Sequence, residues 1–408
     1  MFSIREIYLK GSVNMKRYTG TTVRGIRMPI VRKGDDLITI ISDNLMKAAE
    51  ATPFDFRDRD IIGVTESFLA RSQSNFVSLD QISDNVSVAA PKGDIAIAFP
   101  LLSRNRFLPL LKGIVKGISG KIRIYLSYPG DEVGNLIVDP INYYENRKKL
   151  SGECFNEEEW EKVFGRYIHT FTGIDYVKLY REVDPSRIEV WFVNNPVDIL
   201  QHDVNIILAS IHVRFLQKKM LLRSGASWVL TLDEICSRPR EDAGYNEEYG
   251  LLGSNHSGDE RVKLFPRDCK KFVNELHDEL LRVTGKNIEV LVYGDGAFKD
   301  PVCGIWELAD PVVSPGYTEG LDGTPSEVKL KLVADNAAGD ALNAGEIVKK
   351  TIADKHKEKN IDKKLALGTT PRRYHDLIGS LCDLTSGSGD KGTPVIHISG
   401  YFDTYIDE

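Results

Sequence analysis

Nowhere in this 408-residue sequence do about 18 apolar residues run together, so no segment is expected to cross a membrane as a helix. An excess of positive charge is missing too. Fifty-three basic residues face 59 acidic ones, and the net charge of -6 offers no general attraction to a phosphate backbone, so nucleic acid is not an expected partner. Cysteine is scarce: Cys154, Cys236, Cys269, Cys303 and Cys382 lie far apart, without C-x-x-C or any zinc-site spacing, and read as reduced core thiols. The first residues lack the uninterrupted apolar run of a secretory signal, because Arg5, Glu6 and Lys10 break it, and this predicts a cytoplasmic protein. Glycine (34) and proline (17) stand at ordinary levels, which together with 42% apolar residues excludes collagen-like and disordered classes.

Several site signatures are absent as well. The P-loop pattern, H-E-x-x-H and G-x-S-x-G do not occur. The one G-x-G-x-x-G, at Gly387, Gly389 and Gly392, follows a predicted helix and precedes a strand. A dinucleotide fold needs the opposite order, although a backbone-rich turn near an anion remains open.

What is present is an alternation of helix and strand signals. Gly34 to Ala49 reads as a helix with Leu37, Ile40, Ile41, Leu45 and Ala48 on one face and Asp35 placed to cap it. Asp60 to Thr65, Ile95 to Phe99, Lys121 to Tyr128, Ile288 to Tyr293 and the run V-K-L-K-L-V (328–333) read as strands; Phe107 to Ile118, Asp268 to Val283 and Tyr374 to Leu384 read as helices. The fold class this predicts is mixed α/β. At about Asp131 the texture changes to charged and aromatic stretches, including a basic amphipathic helix, His212 to Arg223, in which Phe215, Leu216, Met220 and Leu222 are expected to pack and the basic face to be solvated. Among eight scattered histidines only His256, in a Gly/Asn-rich loop, is suggestive.

Two carboxylates stand at predicted strand ends. Asp295, between Gly294 and Gly296, leaves room for a metal or phosphate to approach, but fits equally a turn in which it caps its own backbone. Asp335 ends the run V-K-L-K-L-V-A-D and could share a magnesium ion or cap the helix that follows.

An ordered set of segments carries a resemblance. G-I-R-M-P-I-V-R-K-G-D-D-L (25–37), D-R-D-I-I-G-V-T-E-S-F-L-A-R-S-Q (58–73), G-L-L-G-S-N (250–255), T-G-K-N-I-E-V-L-V-Y-G-D (284–295), V-A-D-N-A-A (333–338) and G-S-G-D-K-G-T-P-V (387–395) together resemble the coenzyme F-420:L-glutamate ligase family. The resemblance implies an α+β ligase-like body made from residues 1–130 and 241–408, an inserted lobe at 131–240 without counterpart, and a homodimer. It implies an amide ligase that uses GTP (ATP is not distinguished) and Mg2+ or Mn2+ to join a small-molecule carboxylate to an amino acid such as glutamate through an acyl phosphate. Met28, Pro29, Ile30 and Val31 would border the nucleotide, with Glu66, Ser67, Arg71 and Asn255 contacting it and Asp295 binding metal.

The departures are specific. Leu252 stands at the family's other metal-binding aspartate, Arg71 at its lysine, Gly296 at a threonine and Asn336 at a glutamate. Leucine cannot hold a metal; Asp300 or Asp259 could replace the ligand. An arginine fork suits phosphate at least as well as lysine, so Arg71 is the expected fixed cation, with Lys299 spare in the same loop as Asp300. A second reading, a ligase-like chain that has lost catalysis and binds a nucleotide or metabolite as a regulatory or scaffold module, rests on Leu252.

Overall fold

A computed structural model describes residues 19–258, 260–294, 298–299, 306–307, 314–323, 344–356, 373–386 and 391–403. In chain order the strands are β1 (Thr22–Ile26), β2 (Ile61–Thr65), β3 (Phe76–Ser78), β4 (Ile95–Ala98), β5 (Ile122–Leu126), β6 (Cys154–Asn156), β7 (Ile188–Val193), β8 (Asn205–Leu208), β9 (Trp228–Thr231), β10 (Asn255–His256), β11 (Arg261–Lys263), β12 (Glu289–Tyr293), β13 (Phe298–Lys299), β14 (Trp306–Glu307), β15 (Gly316–Tyr317) and β16 (Val395–Ser399). The α-helices are α1 (Leu37–Ala51), α2 (Glu66–Ser72), α3 (Leu79–Ala89), α4 (Phe107–Gly117), α5 (Pro140–Asn146), α6 (Glu157–Phe164), α7 (Tyr176–Arg181), α8 (Arg214–Arg223), α9 (Cys269–Thr284), α10 (Ala344–His356) and α11 (Tyr374–Ser386). The fold is mixed α/β, as the alternation predicts. The run at 328–333, Asp335, Asp300 and Cys303 lie outside the described residues.

One sheet joins the two ends of the chain in the order β1-β16-β2-β12-β15. β2 and β12 are parallel, and their I-I-G-V-T and E-V-L-V-Y runs are buried on both faces, which is why neither alternates with polar residues. Ile62, Val64, Val290 and Val292 pack against α1 and α9 on one side. On the other side Ile61, Leu291 and Ile396 meet Ile378 and Cys382 of α11. Gly63 permits that approach, since a Cβ there would lie 2.4 Å from Cys382 Sγ. The cap of α1 is Asp36, one residue later than expected, accepting from Ile38 N and Thr39 N; Asp35 accepts instead from Arg32 N at 2.7 Å.

The second sheet runs β6-β7-β5-β4-β8-β9, parallel except for β6 at one edge. β4 and β5, expected in the N-terminal part of the ligase-like body, are central strands of this sheet, so the boundary drawn at residue 131 falls inside it. The change of composition there follows surface-exposed connections, whereas membership in the sheet is decided by strand pairing. The core of this unit also takes in Leu251, Leu252, Val262 and Leu264, which come after the lobe in sequence and tie it to the flanking segments.

Helix α8 differs from its expected packing. Only Leu221 is buried, while Phe215, Leu216, Met220 and Leu222 are exposed. The helix is held instead by ion pairs, Arg214 with Asp233 at 2.9 Å and Lys218 with Glu234 at 2.5 Å, together with that one leucine. The described cysteines are free thiols. Burial pushes Cys236 and Cys269 up to about 12 and Cys154 up to about 11, so they stay protonated and unreactive at neutral pH. Among the described residues no helix is long and apolar enough to cross a membrane.

Candidate functional site

A cavity of about 360 Å³, within the size range of small-molecule sites, opens at one end of β2 and β12. Its walls come from four parts of the chain. The turn after β1 supplies Met28, Pro29, Ile30 and Val31; the β2–α2 junction supplies Thr65, Ser67, Phe68 and Arg71; β12 ends there at Tyr293; and Ser386, Gly392, Thr393 and Pro394 come from the segment between α11 and β16. Backbone bonds across strands hold these parts together: Met28 N donates to Gly392 O at 3.0 Å, and Thr65 N to Pro394 O at 2.9 Å. Gly392 sits at φ 66°, a left-handed conformation that glycine adopts without strain. It is the last glycine of the G-x-G-x-x-G pattern and lines the cavity; Gly387 and Gly389 lie outside the described residues.

Arg71 is exposed at the edge of the cavity; among the described residues no aspartate or glutamate lines it and the Arg71 guanidinium forms no ion pair. Val31 is buried beneath the turn, whereas Ile30 is 87% exposed and offers an apolar surface beside the opening. On the inner side the Tyr293 hydroxyl is buried near Thr65 and Ser386, with no contact that meets hydrogen-bond geometry among the described residues. Burial pushes its pKa well up, so it remains a proton donor. A cation and a buried hydroxyl donor beside an apolar lip suit a polyanion attached to an apolar ring.

The residues singled out in the sequence divide here. Met28, Pro29, Ile30, Val31, Ser67 and Arg71 line this one cavity. Glu66 does not; it is buried and its Oε1 accepts from Lys263 Nζ at 2.6 Å. Asn255 lies opposite Lys263 in the β10–β11 pairing, so it is placed on the same side of the body as that ion pair and not in the cavity wall. Asp295, Gly296, Asp259, Asp300, Asp335 and Asn336 lie outside the described residues, as does the side chain of Lys299. Leu252 is 2% exposed within the core of the second sheet. Thr65, Phe68, Tyr293, Ser386 and Thr393 are the additions; all but Ser386 belong to the segments that carry the resemblance, and what identifies them is their convergence in space.

A divalent metal would need a set of oxygen or nitrogen donors. Among the described residues no group of three or more His, Cys, Asp or Glu side chains is arranged to hold one. The described residues alone therefore do not make a metal site, and Leu252 contributes nothing to one.

None of the curated proteins matches the chain. A model of the F-420-0:gamma-glutamyl ligase family matches residues 25–400, nearly the whole length and every wall of the cavity, and the protein belongs to that family.

Proposed function

We propose that the chain is a nucleotide-dependent acid–amino-acid ligase and that the cavity beside Arg71 holds the phosphates of GTP or ATP. The Arg71 guanidinium, without an ion pair or an acidic neighbour in the cavity wall among the described residues, carries this reading. In the reaction proposed, a substrate carboxylate oxygen attacks the terminal phosphoryl group and the bond to the nucleoside diphosphate breaks. An amino-acid amine then attacks the acyl carbon of the acyl phosphate; phosphate leaves, the nitrogen loses a proton and an amide forms. Charge spreads over the phosphoryl oxygens during transfer, and Arg71 is the group of this cavity that can offset it. Tyr293 supplies a neutral donor from a water-poor floor. The Met28–Val31 turn gives the base an apolar face without choosing guanine over adenine.

The test is Arg71→Ala. Loss of a charge-assisted hydrogen bond to phosphate weakens nucleotide binding by about 1.5–3 kcal/mol, roughly ten- to 150-fold. Calorimetry with GTP and with ATP reads this directly, and equal affinity in wild type and variant removes the site.

Magnesium or manganese is part of the same proposal, because such an ion bridges and neutralises nucleotide phosphates when bound. Asp295, two residues beyond Tyr293 in sequence, is its proposed ligand. In Asp295→Asn, metal affinity in the presence of nucleotide and ligase turnover should fall sharply, while the melting temperature without metal stays nearly constant. A variant with wild-type metal affinity counts against the assignment. Leu252 favours the second reading, a nucleotide- or metabolite-binding module without catalysis. Nucleotide binding without turnover, across candidate carboxylates and amines, would be its signature.

A further inference from the structure

We propose that a second cavity, between the loop after β4, helix α4 and the β10–β11 hairpin, binds a small organic anion that carries an apolar group, a phosphorylated or carboxylated molecule distinct from the nucleotide. The topology of the sheet leads there. Its parallel strands run β7-β5-β4-β8-β9, so the chain winds from β4 through β5 to β7 in one direction and then places β8 and β9 in the other. In open α/β sheets the crevice at the carboxyl ends of the two strands flanking such a reversal is where ligands bind. Here those strands are β4 and β8.

The space directly between them is filled. Leu101 from the loop after β4 and Ile211 from the loop after β8 close on Leu251 and Leu252, leaving a cavity of only about 30 Å³, room for about one water. The loop after β4, F-P-L-L-S-R-N-R, also has no glycine with which to cradle a pyrophosphate. A dinucleotide is thereby excluded.

The adjoining side of the same loop is open. A cavity of about 310 Å³ lies there, with Arg104 from the loop, Lys112 from α4, and His256 and Arg261 from the hairpin on its walls. No aspartate or glutamate among the described residues lines it. Among the described residues neither Arg104, Lys112 nor Arg261 forms an ion pair, although Lys116, one helical turn beyond Lys112, pairs with Asp80 at 2.9 Å. Three like charges around one concavity repel each other and raise the local concentration of anions. Leu79, Leu108 and Leu179 form the apolar part of the wall, which a bare inorganic ion would leave unused. Arg261 and Lys263 are two residues apart on β11 and so share a face, and Lys263 bonds Glu66, the residue before Ser67 in the nucleotide cavity. The two cavities share no lining residue.

Calorimetric titration at low ionic strength with phenyl phosphate and with phenylacetate as probes tests this and separates a phosphorylated from a carboxylated ligand. Saturable binding of at least one probe is expected, weakened at least about tenfold in the R104A/K112A/R261A triple variant and unchanged in R71A. All three substituted side chains are exposed, so the triple variant should melt with the wild type. A single Lys112→Ala variant, weaker than wild type and tighter than the triple, serves if the triple variant does not fold. No saturable binding of either probe, equal binding by wild type and the charge-removal variants, or loss of binding in R71A would each overturn the proposal.

Discussion

Asp60→Ala is expected to destabilise the protein by about 3–5 kcal/mol, the cost of removing one partner from a buried charged or hydrogen-bonded pair. Asp60 precedes β2, is 1% exposed, and accepts on Oδ2 from His397 Nε2 at 2.8 Å and from Arg57 N at 3.0 Å. A carboxylate only accepts, so Nε2 carries the proton. His397 is fully buried in β16, between Arg24 of β1 and Ile62 of β2, with Phe54 stacked on its ring at 4.8 Å and Phe56 edge-on at 5.4 Å. Among the described residues its Nδ1 has no hydrogen-bond partner, so the polar anchoring of the ring rests on Asp60. Alanine leaves the buried His397 Nε2–H unpaired and releases the part-buried Arg57 N–H where β1, β16 and β2 meet. Asp60→Asn retains an accepting oxygen and should lose much less. Urea unfolding followed by far-ultraviolet dichroism measures both; a change below about 1 kcal/mol for the alanine variant would show that the imidazole finds another acceptor.

Leu252→Ala should cost about 2–5 kcal/mol, the range for truncating a buried leucine whose surroundings relax only in part. Leu252 is packed in the core that joins the Gly250–Asn255 segment to the second sheet and lines the small cavity between β4 and β8. Leu252→Asp, which introduces the aspartate that the resemblance implies for this position, should cost at least as much, because the carboxylate would be buried among apolar side chains. Nucleotide affinity at the Arg71 cavity, whose wall Leu252 does not touch, should stay unchanged in both variants. Should the aspartate variant keep its stability and gain magnesium affinity, the segment would have to leave the core, and its reading as a plug in the sheet would fail. The outcome also bears on catalysis: in this chain the position serves the junction with the second sheet, so any metal site must be built without it.

Much of the local structure was legible before any coordinates. Buried apolar runs bounded by glycine and charged residues mark β2 and β12, and the spacing of Leu37, Ile41 and Leu45 marks α1, because periodicity reports which face is hidden. Helix α8 shows the limit of that signal. Its apolar residues 215, 216, 220 and 222 do not share one helical face, and strand β9 and the Asp233–Glu234 turn receive it through Leu221 and two ion pairs. Chain segments quoted for the resemblance contained most of the cavity wall, yet within them nothing distinguished Ser67, which lines it, from its neighbour Glu66, which turns away to Lys263.

By itself the sequence determined the class of the fold, the secondary elements with strong periodicity, the family and the cation at position 71, since each depends on residue type, on local spacing or on the order of segments. Only the tertiary structure decided that β4 and β5 belong to the second sheet, that Leu252 is core, that Glu66 is spent on an ion pair and that Arg104, Lys112 and Arg261 surround one cavity. Those facts depend on which strands pair and which loops meet across many tens to hundreds of residues. Pairing of that kind is settled by the competition of all buried surfaces for one another, a sum over the whole chain that no single segment records.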